Sequence, residues 1–183
     1  MRRIGALLSV VGAALVMSAA GCWNPFAPDT KPPEGPQYFE DCDSAWKVVE
    51  NLKFSYTARD ITRYLDCFRD DFEFHLLEVD YDDYDGDGEE DTFWGLDLEE
   101  QFTTMMFDLV TSIELTMWGG TEYPWSGDPT GETTVVTRQF DLKVYTDGSG
   151  TQGYRATGNV DFYCRPDSTG QYYIWQWWDY SEI

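Results

Sequence analysis

From Thr133 to Tyr180 apolar and polar residues alternate in three runs: TTVVTRQFDLKVYT, TQGYRATGNVDFYCR and QYYIWQWWDY. The breaks, Asp147 to Gly150 and Pro166 to Gly170, carry the Asp, Gly, Ser and Pro chemistry of tight hairpin turns. Val, Thr, Tyr, Phe and Trp dominate the runs, and such residues fit a pleated, half-buried surface. The pattern predicts a long, curved antiparallel meander. Strict alternation puts Tyr173, Trp175 and Trp177 on one face of the last strand and Tyr172, Ile174 and Trp178 on the other. It does not say which face is inside.

Upstream the period changes. In Ser44 to Ala58, residues Ala45, Val48, Val49, Leu52 and Tyr56 recur at helical spacing, with Asp43 as the expected N-cap. Arg59-Asp60 interrupts the stripe. Asp60 then caps a short second helix, Ile61 to Phe68. Phe72, Phe74 and Leu76 alternate with Glu73 and His75, so Asp71 to Val79 reads as a strand. Asp97 to Glu100 has the form of a capping box before a third helix, with Phe102, Met105, Met106 and Leu109 inward. Ser112 to Trp118 is a further strand, with Ile113, Leu115 and Met117 sharing a face. The order is helix, helix, strand, helix and four strands.

The first residues belong to no such pattern. Arg2 and Arg3 precede an apolar run, Ile4 to Met17, too short for a comfortable membrane span of about 20 residues. Small residues, Ser18 to Gly21, stand directly before Cys22. This layout resembles the lipobox of bacterial lipoproteins and implies cleavage before Cys22 and acyl chains on it, which anchor a domain to a membrane. Trp23, where an Asp would signal retention at the inner membrane, points to the outer membrane. Pro25, Pro28, Pro32, Pro33 and Pro36 then make a semi-extended tether. The organisation expected is a leader over 1–21, a tether over 22–37 and one domain over 38–183, exposed in the periplasm or at the surface of a bacterial envelope.

Charge narrows the partners. Formal net charge is −22, and more negative once Arg2 and Arg3 are gone. Such a surface repels phosphate backbones, which excludes nucleic-acid binding. With aromatics at 17%, the chain is not a disordered acidic segment, because those lack rings. Beyond Cys22 there are Cys42, Cys67 and Cys164. An exported compartment permits one bridge among three; Cys42–Cys67 is the favoured pair, and three buried thiols are the alternative.

The Arg-Asp turn, the strand after it and the end of the meander resemble the nuclear transport factor 2-like (SnoaL-like) superfamily. Arg59, Asp60, Ile61, Tyr64 and Leu65 match its turn, Asp71, Phe72 and Phe74 its first strand, and Tyr172, Ile174, Trp177 and Asp179 its closing run. The resemblance spans Asp43 to Tyr180. It implies an α+β fold: a cone-shaped, curved antiparallel sheet, cystatin-like, wrapped around N-terminal helices, with a pocket at the open end. The superfamily includes steroid isomerases, cyclases, dehydratases, binding domains and dimers that meet through the sheet, so the fold does not choose among functions. A homodimer is implied only in that sense.

Three groups carry candidate chemistry. Nine of the fourteen residues from Glu78 to Asp91 are acidic, and like charges at close range repel unless neutralised. Asp83, Asp85, Asp87 and Asp91 fit a D-x-D-x-D-G-x-x-D loop that can converge on calcium. Trp94 stands where an EF-hand needs Glu, so this is not an EF-hand. The bland alternative is a solvated turn. His75, the only histidine, shares a strand face with Glu73; the pair is a candidate base and orienting partner, and equally a rim pair. Tyr173, Trp175 and Trp177 are candidates for a pocket or partner surface, with core packing as the default. No organic cofactor fingerprint or nucleophile motif is present. The expectation is a lipid-anchored binding or assembly module of the envelope; the alternative is a small cofactor-independent isomerase, cyclase or dehydratase.

Overall fold

A computed structural model describes Gly35 and residues 37–182. The leader, Cys22 and the tether apart from Gly35 and Gln37 lie outside the described residues. The elements are α1 (Ala45–Ala58), α2 (Ile61–Leu65), β1 (Phe68–His75), a 3₁₀ turn (Glu78–Asp80), β2 (Phe93–Gly95), α3 (Leu96–Leu109), β3 (Ser112–Trp118), β4 (Glu122–Pro124), β5 (Thr134–Tyr145), β6 (Gly153–Pro166) and β7 (Tyr172–Glu182). All strands join one sheet, in the order β2-β1-β7-β6-β5-β3, with β4 also on β5.

The meander forms as its turns require. β5 pairs with β6 from Thr134↔Cys164 to Tyr145↔Gly153, and β6 with β7 from Thr157↔Glu182 to Pro166↔Tyr172. The sheet is mixed rather than wholly antiparallel: β1 runs parallel to β7. The chain between β1 and β7, with α3 and the intervening strands, supplies the length that a parallel return needs. Gly158 permits close approach near the end of β7, where a Cβ would lie 2.5 Å from the Tyr180 carbonyl oxygen.

The strict alternation expected for β7 fails at one residue. Cys164 faces Ile174 and Tyr163 faces Gln176, which leaves Trp175 as an extra residue in β7. This β-bulge resets the parity of the strand. Ile174 and Trp177 therefore both turn inward, toward buried Cys164 and Phe162. Tyr173 and Trp175 turn outward, against Arg165, and Trp175 also meets Trp125 and Tyr163. Of the three rings expected on one face, only Trp177 lies on the inner one.

The helices fill the concave side. Ala45, Val48, Val49 and Leu52 of α1 are buried as their spacing predicts, and they join Tyr64, Phe72, Phe107, Ile113, Val136 and Ile174 in one core. Asp43 does not cap α1. Its carboxylate accepts from Ser44 Oγ (2.7 Å) and pairs with Lys47 (2.8 Å), and Ser44 takes the N-cap position. Asp60 does cap α2, accepting from the Arg63 N–H at 3.1 Å. The second helix ends at Leu65, so Phe68 opens β1 instead of closing a helix.

Arg59 explains the Arg-Asp pair. It ends α1 in the left-handed conformation (φ 54°), which lets its N–H bond back to the last carbonyls of the helix. Its guanidinium donates to the Phe107 and Val110 carbonyls at the end of α3. One residue thus ends one helix and caps another. α3 itself starts at Leu96 after Gly95, without a side-chain cap, so the capping box does not form. Met105 and Leu109 are exposed rather than inward, at 46% and 76%. Glu99, Thr103 and Phe107 take the buried positions. Cys42, Cys67 and Cys164 are free thiols. The favoured Cys42–Cys67 bridge does not form; each thiol instead donates to a backbone carbonyl nearby, Phe39 and Arg63 respectively.

Candidate functional site

Sheet and helices do not close on each other completely. Between α3 and the inner face lies a cavity of about 350 Å³. Its wall is apolar: Phe74 and Trp177 from neighbouring strands, Trp94 and Phe102 from the β2–α3 segment, Leu115 and Met117 from β3. Phe74 and Trp94 stack at 4.6 Å and 6°, and Phe102 meets Trp94 edge-on at 5.2 Å. Tyr84, from the acidic loop, closes part of the same wall and touches both Trp94 and Phe102.

Two carboxyl groups reach this apolar space, one from each side. Glu99 comes from α3 and is 4% exposed. It is fully engaged. Thr103 Oγ1 donates to Oε1 at 2.8 Å, Trp94 Nε1 donates to Oε2 at 2.8 Å, and the Tyr64 hydroxyl donates to Oε1. A buried carboxylate that accepts several hydrogen bonds is a stable arrangement.

Asp179 comes from β7, and its case is the reverse. Its Oδ1 is buried and has no hydrogen-bond partner among the described residues. Burial lifts its carboxyl to about 6; Ser181 offsets part of that effect and the charge of Asp80 adds to it. Beside it are two donors. The Tyr56 phenol lines the cavity, and burial, then the Glu99 and Asp179 charges, hold it far above its usual range, so it stays protonated. Trp177 lines the cavity too, and its indole N–H is buried with no partner among the described residues. The cavity lining thus brings together a carboxyl that burial lifts to about 6 and two donors, the Tyr56 phenol and the Trp177 indole.

His75 and Glu73 stand elsewhere. Phe74 lines the cavity, so its neighbours in β1 face outward. There His75 stacks on Trp178 (4.0 Å, 5°) and contacts Glu73 Oε2 through Nε2 at 2.9 Å. Gln176 donates to the same oxygen at 2.7 Å. Burial pushes the imidazole below its usual range, against the Glu73 hydrogen bond. His75, Glu73 and Gln176 thus form a hydrogen-bonded outer-face network, and the cavity does not meet it.

The acidic loop does converge. Asp83, Asp85 and Asp91 each place an oxygen within 4.8 Å of the others. Asp87 stays outside that group. Its Oδ1 accepts from the Glu89 N–H, while Asp83 accepts from the Gly86 and Gly88 N–H groups.

Asp179 is visible in the sequence only as the last residue of the closing run. Glu99 has a clearer signal: it falls with Thr103, Met106, Phe107 and Val110 on one i, i+4, i+7, i+8, i+11 stripe. A charged residue inside an apolar stripe marks a polar group turned inward.

No family model matches the chain, and no curated protein does. Solved structures do match in shape. A conserved protein from Planctomyces limnophilus superposes with a TM-score of 0.58 at 12% identity, over 74% of this chain and 91% of that one. A protein of cystatin-like fold from Caulobacter vibrioides gives 0.56 at 10% identity, over 79% and 92%. A provisionally assigned dehydratase of the NTF2-like family from Streptomyces avermitilis gives 0.54 at 6% identity, over 75% and 92%. The domain therefore has the nuclear transport factor 2-like, cystatin-like fold. At these identities the likeness concerns the fold alone.

Proposed function

We propose that the domain is a small, cofactor-independent acid–base catalyst that works inside the cone, with Asp179 as the proton-transferring group. The observation that carries this reading is the unpartnered, buried Oδ1 of Asp179 in an apolar cavity. Ser181 answers part of this carboxyl, and a buried oxygen left without a donor is costly, so its natural partner is a ligand. Proton abstraction from carbon next to a carbonyl fits best: Asp179 takes the proton, and Tyr56 and the Trp177 N–H stabilise the enolate oxygen. That reaction class includes isomerisation and dehydration, and the provisional dehydratase assignment of a fold relative agrees with it. A passive binding module would use the same cavity but would not need a carboxyl titrating near neutrality.

Ring-opening of 5-nitrobenzisoxazole tests the base directly. A carboxylate removes the ring C–H proton, the N–O bond breaks, and a nitrile and a phenolate form. The expected rate rises with pH through about 6 and falls about a hundredfold or more in Asp179→Asn. A wild-type rate no better than acetate at equal concentration would sink the reading.

The domain acts, on this proposal, from a lipid anchor at Cys22 in the bacterial envelope, the layout that the leader suggests. Replacing Cys22 by Ser should move the protein from the membrane to the soluble fraction. Unchanged membrane association would refute the anchor.

We also propose calcium in the acidic loop, because Asp83, Asp85 and Asp91 converge. Tyr84 of this loop lines the cavity, so the ion would order one wall of it. With a dissociation constant of about 1 mM, 10 mM calcium stabilises by about 1.4 kcal/mol. A melting temperature indifferent to calcium and to EDTA would exclude the site.

A further inference from the structure

We propose that the cavity selects ligands bearing an organic ammonium group on an apolar body. The inference deepens the acid–base reading and rests on the same cavity, but it concerns which substrates enter. Two carboxyl groups, Glu99 and Asp179, reach the cavity, and no Lys, Arg or His is among its described lining residues. Buried charge in an apolar setting needs a counter-charge. Glu99 is met by three neutral donors, Tyr64, Thr103 and Trp94, and Asp179 Oδ1 by none among the described residues. The described lining supplies no cation, so a ligand must.

The rest of the wall suits a cation. Phe74, Trp94, Phe102 and Trp177 line it, and aromatic faces attract ammonium groups, more strongly once water is excluded. An anionic ligand meets two carboxyl groups and no basic residue. A neutral ligand fits the apolar wall but leaves Asp179 without a counter-charge when ionised. Outside, the run from Glu78 to Asp91 brings Tyr84 to the cavity wall, so its negative field raises the local concentration of cations on the approach.

The groups facing Asp179 set the pH dependence. Glu99 on α3 and Tyr56 on α1 share the cavity, Tyr84 lines it from the loop, Asp80 acts from the 3₁₀ turn, and Ser181 lies two residues on in the same strand. Among them Asp179 is the one lifted to about 6. Below that pH it is neutral and loses its hold on an ammonium; above it the attraction is complete.

Titration calorimetry with benzylammonium, benzyl alcohol and benzoate separates the cases. At pH 7.5 benzylammonium is expected to bind about tenfold or more tightly than benzyl alcohol, with no benzoate binding. The preference should shrink about tenfold at pH 5, and Asp179→Asn should lose it while still binding benzyl alcohol. Retained benzyl alcohol binding shows that the variant is folded with its cavity open. Equal or tighter binding of the alcohol by the wild type overturns the proposal, as does an ammonium preference that survives in Asp179→Asn. Ring-opening of benzisoxazole without ammonium preference leaves a base for neutral substrates. Ammonium preference without ring-opening leaves a cation-binding site and removes the catalyst.

Discussion

The two walls of the cavity treat their carboxyl groups in opposite ways. On the helix wall Glu99 accepts from Tyr64, Thr103 and Trp94. On the sheet wall Asp179 also lines the cavity, and its buried Oδ1 has no hydrogen-bond partner among the described residues. The helix wall is built like a structural network, with each charge answered from within the chain. The sheet wall is built like a site, with its charge left for something else to answer. Burial alone therefore does not mark a functional group; a carboxyl that lines a cavity with a buried oxygen left unpartnered is the better mark.

The largest effect should come from breaking the satisfied side. Glu99→Ala strands the Tyr64, Thr103 and Trp94 donors and should destabilise by about 3–5 kcal/mol, read from urea denaturation. A loss below about 1 kcal/mol would mean that the network adds nothing to the fold.

Asp179→Asn should act in the other direction. Burial lifts the Asp179 carboxyl from its ordinary 3.8 to about 6 in the folded protein. Its contribution to stability is complete below about pH 4 and is lost as pH rises through about 6, because the native state holds a proton that the unfolded chain has released. At pH 7.5 the ionised group thus opposes folding by about 1–3 kcal/mol. The asparagine variant should be more stable than the wild type at pH 7.5 by that amount, and the gain should fade below pH 4. A variant less stable at pH 7.5 would place Asp179 among the structural groups and erase the contrast between the walls.

The smallest effect belongs to the outer face. His75→Phe keeps a ring against Trp178 and gives up the Glu73 contact, so stability should change by less than about 1 kcal/mol. Benzisoxazole turnover should not change. A hundredfold loss of turnover would return the site to the outer face.

Much of this architecture can be read in the chain. The hairpin turns at Asp147 and Pro166, the helical stripe of α1, the Asp60 cap and the apolar face of β3 arise from spacing and turn chemistry, which are local. The departures have one cause in common: they depend on contacts between distant segments. Nothing local in YYIWQWWDY announces the extra residue at Trp175, because a bulge is defined only against the partner strand. Met105 and Leu109 have the apolar character of core residues, but tertiary packing decides which side of α3 the sheet covers. The candidate site was half legible. Trp177 and Asp179 both belong to the closing run, yet His75 draws the chemistry because histidine titrates near neutrality unaided. Asp179 does so only because the fold buries it.

The bulge at Trp175 makes the identity of the cavity a matter of counting. If Trp175 faced Tyr163 in a regular ladder, each later residue of β7 would move along by one place. Gln176, Trp178 and Tyr180 would then turn into the cone, and Trp177 and Asp179 out of it. Loss of Trp175 itself has the opposite character: it straightens the strand and leaves the inward set unchanged. A residue lost between Gln176 and Asp179 has no such shelter and would exchange the acid for the phenol of Tyr180, and one gained there would exchange it for the indole of Trp178. A related chain lacking the bulge must therefore be aligned with a one-residue gap opposite Trp175. Without that gap its acid would be matched to the wrong neighbour, and a shared site would pass for a missing one.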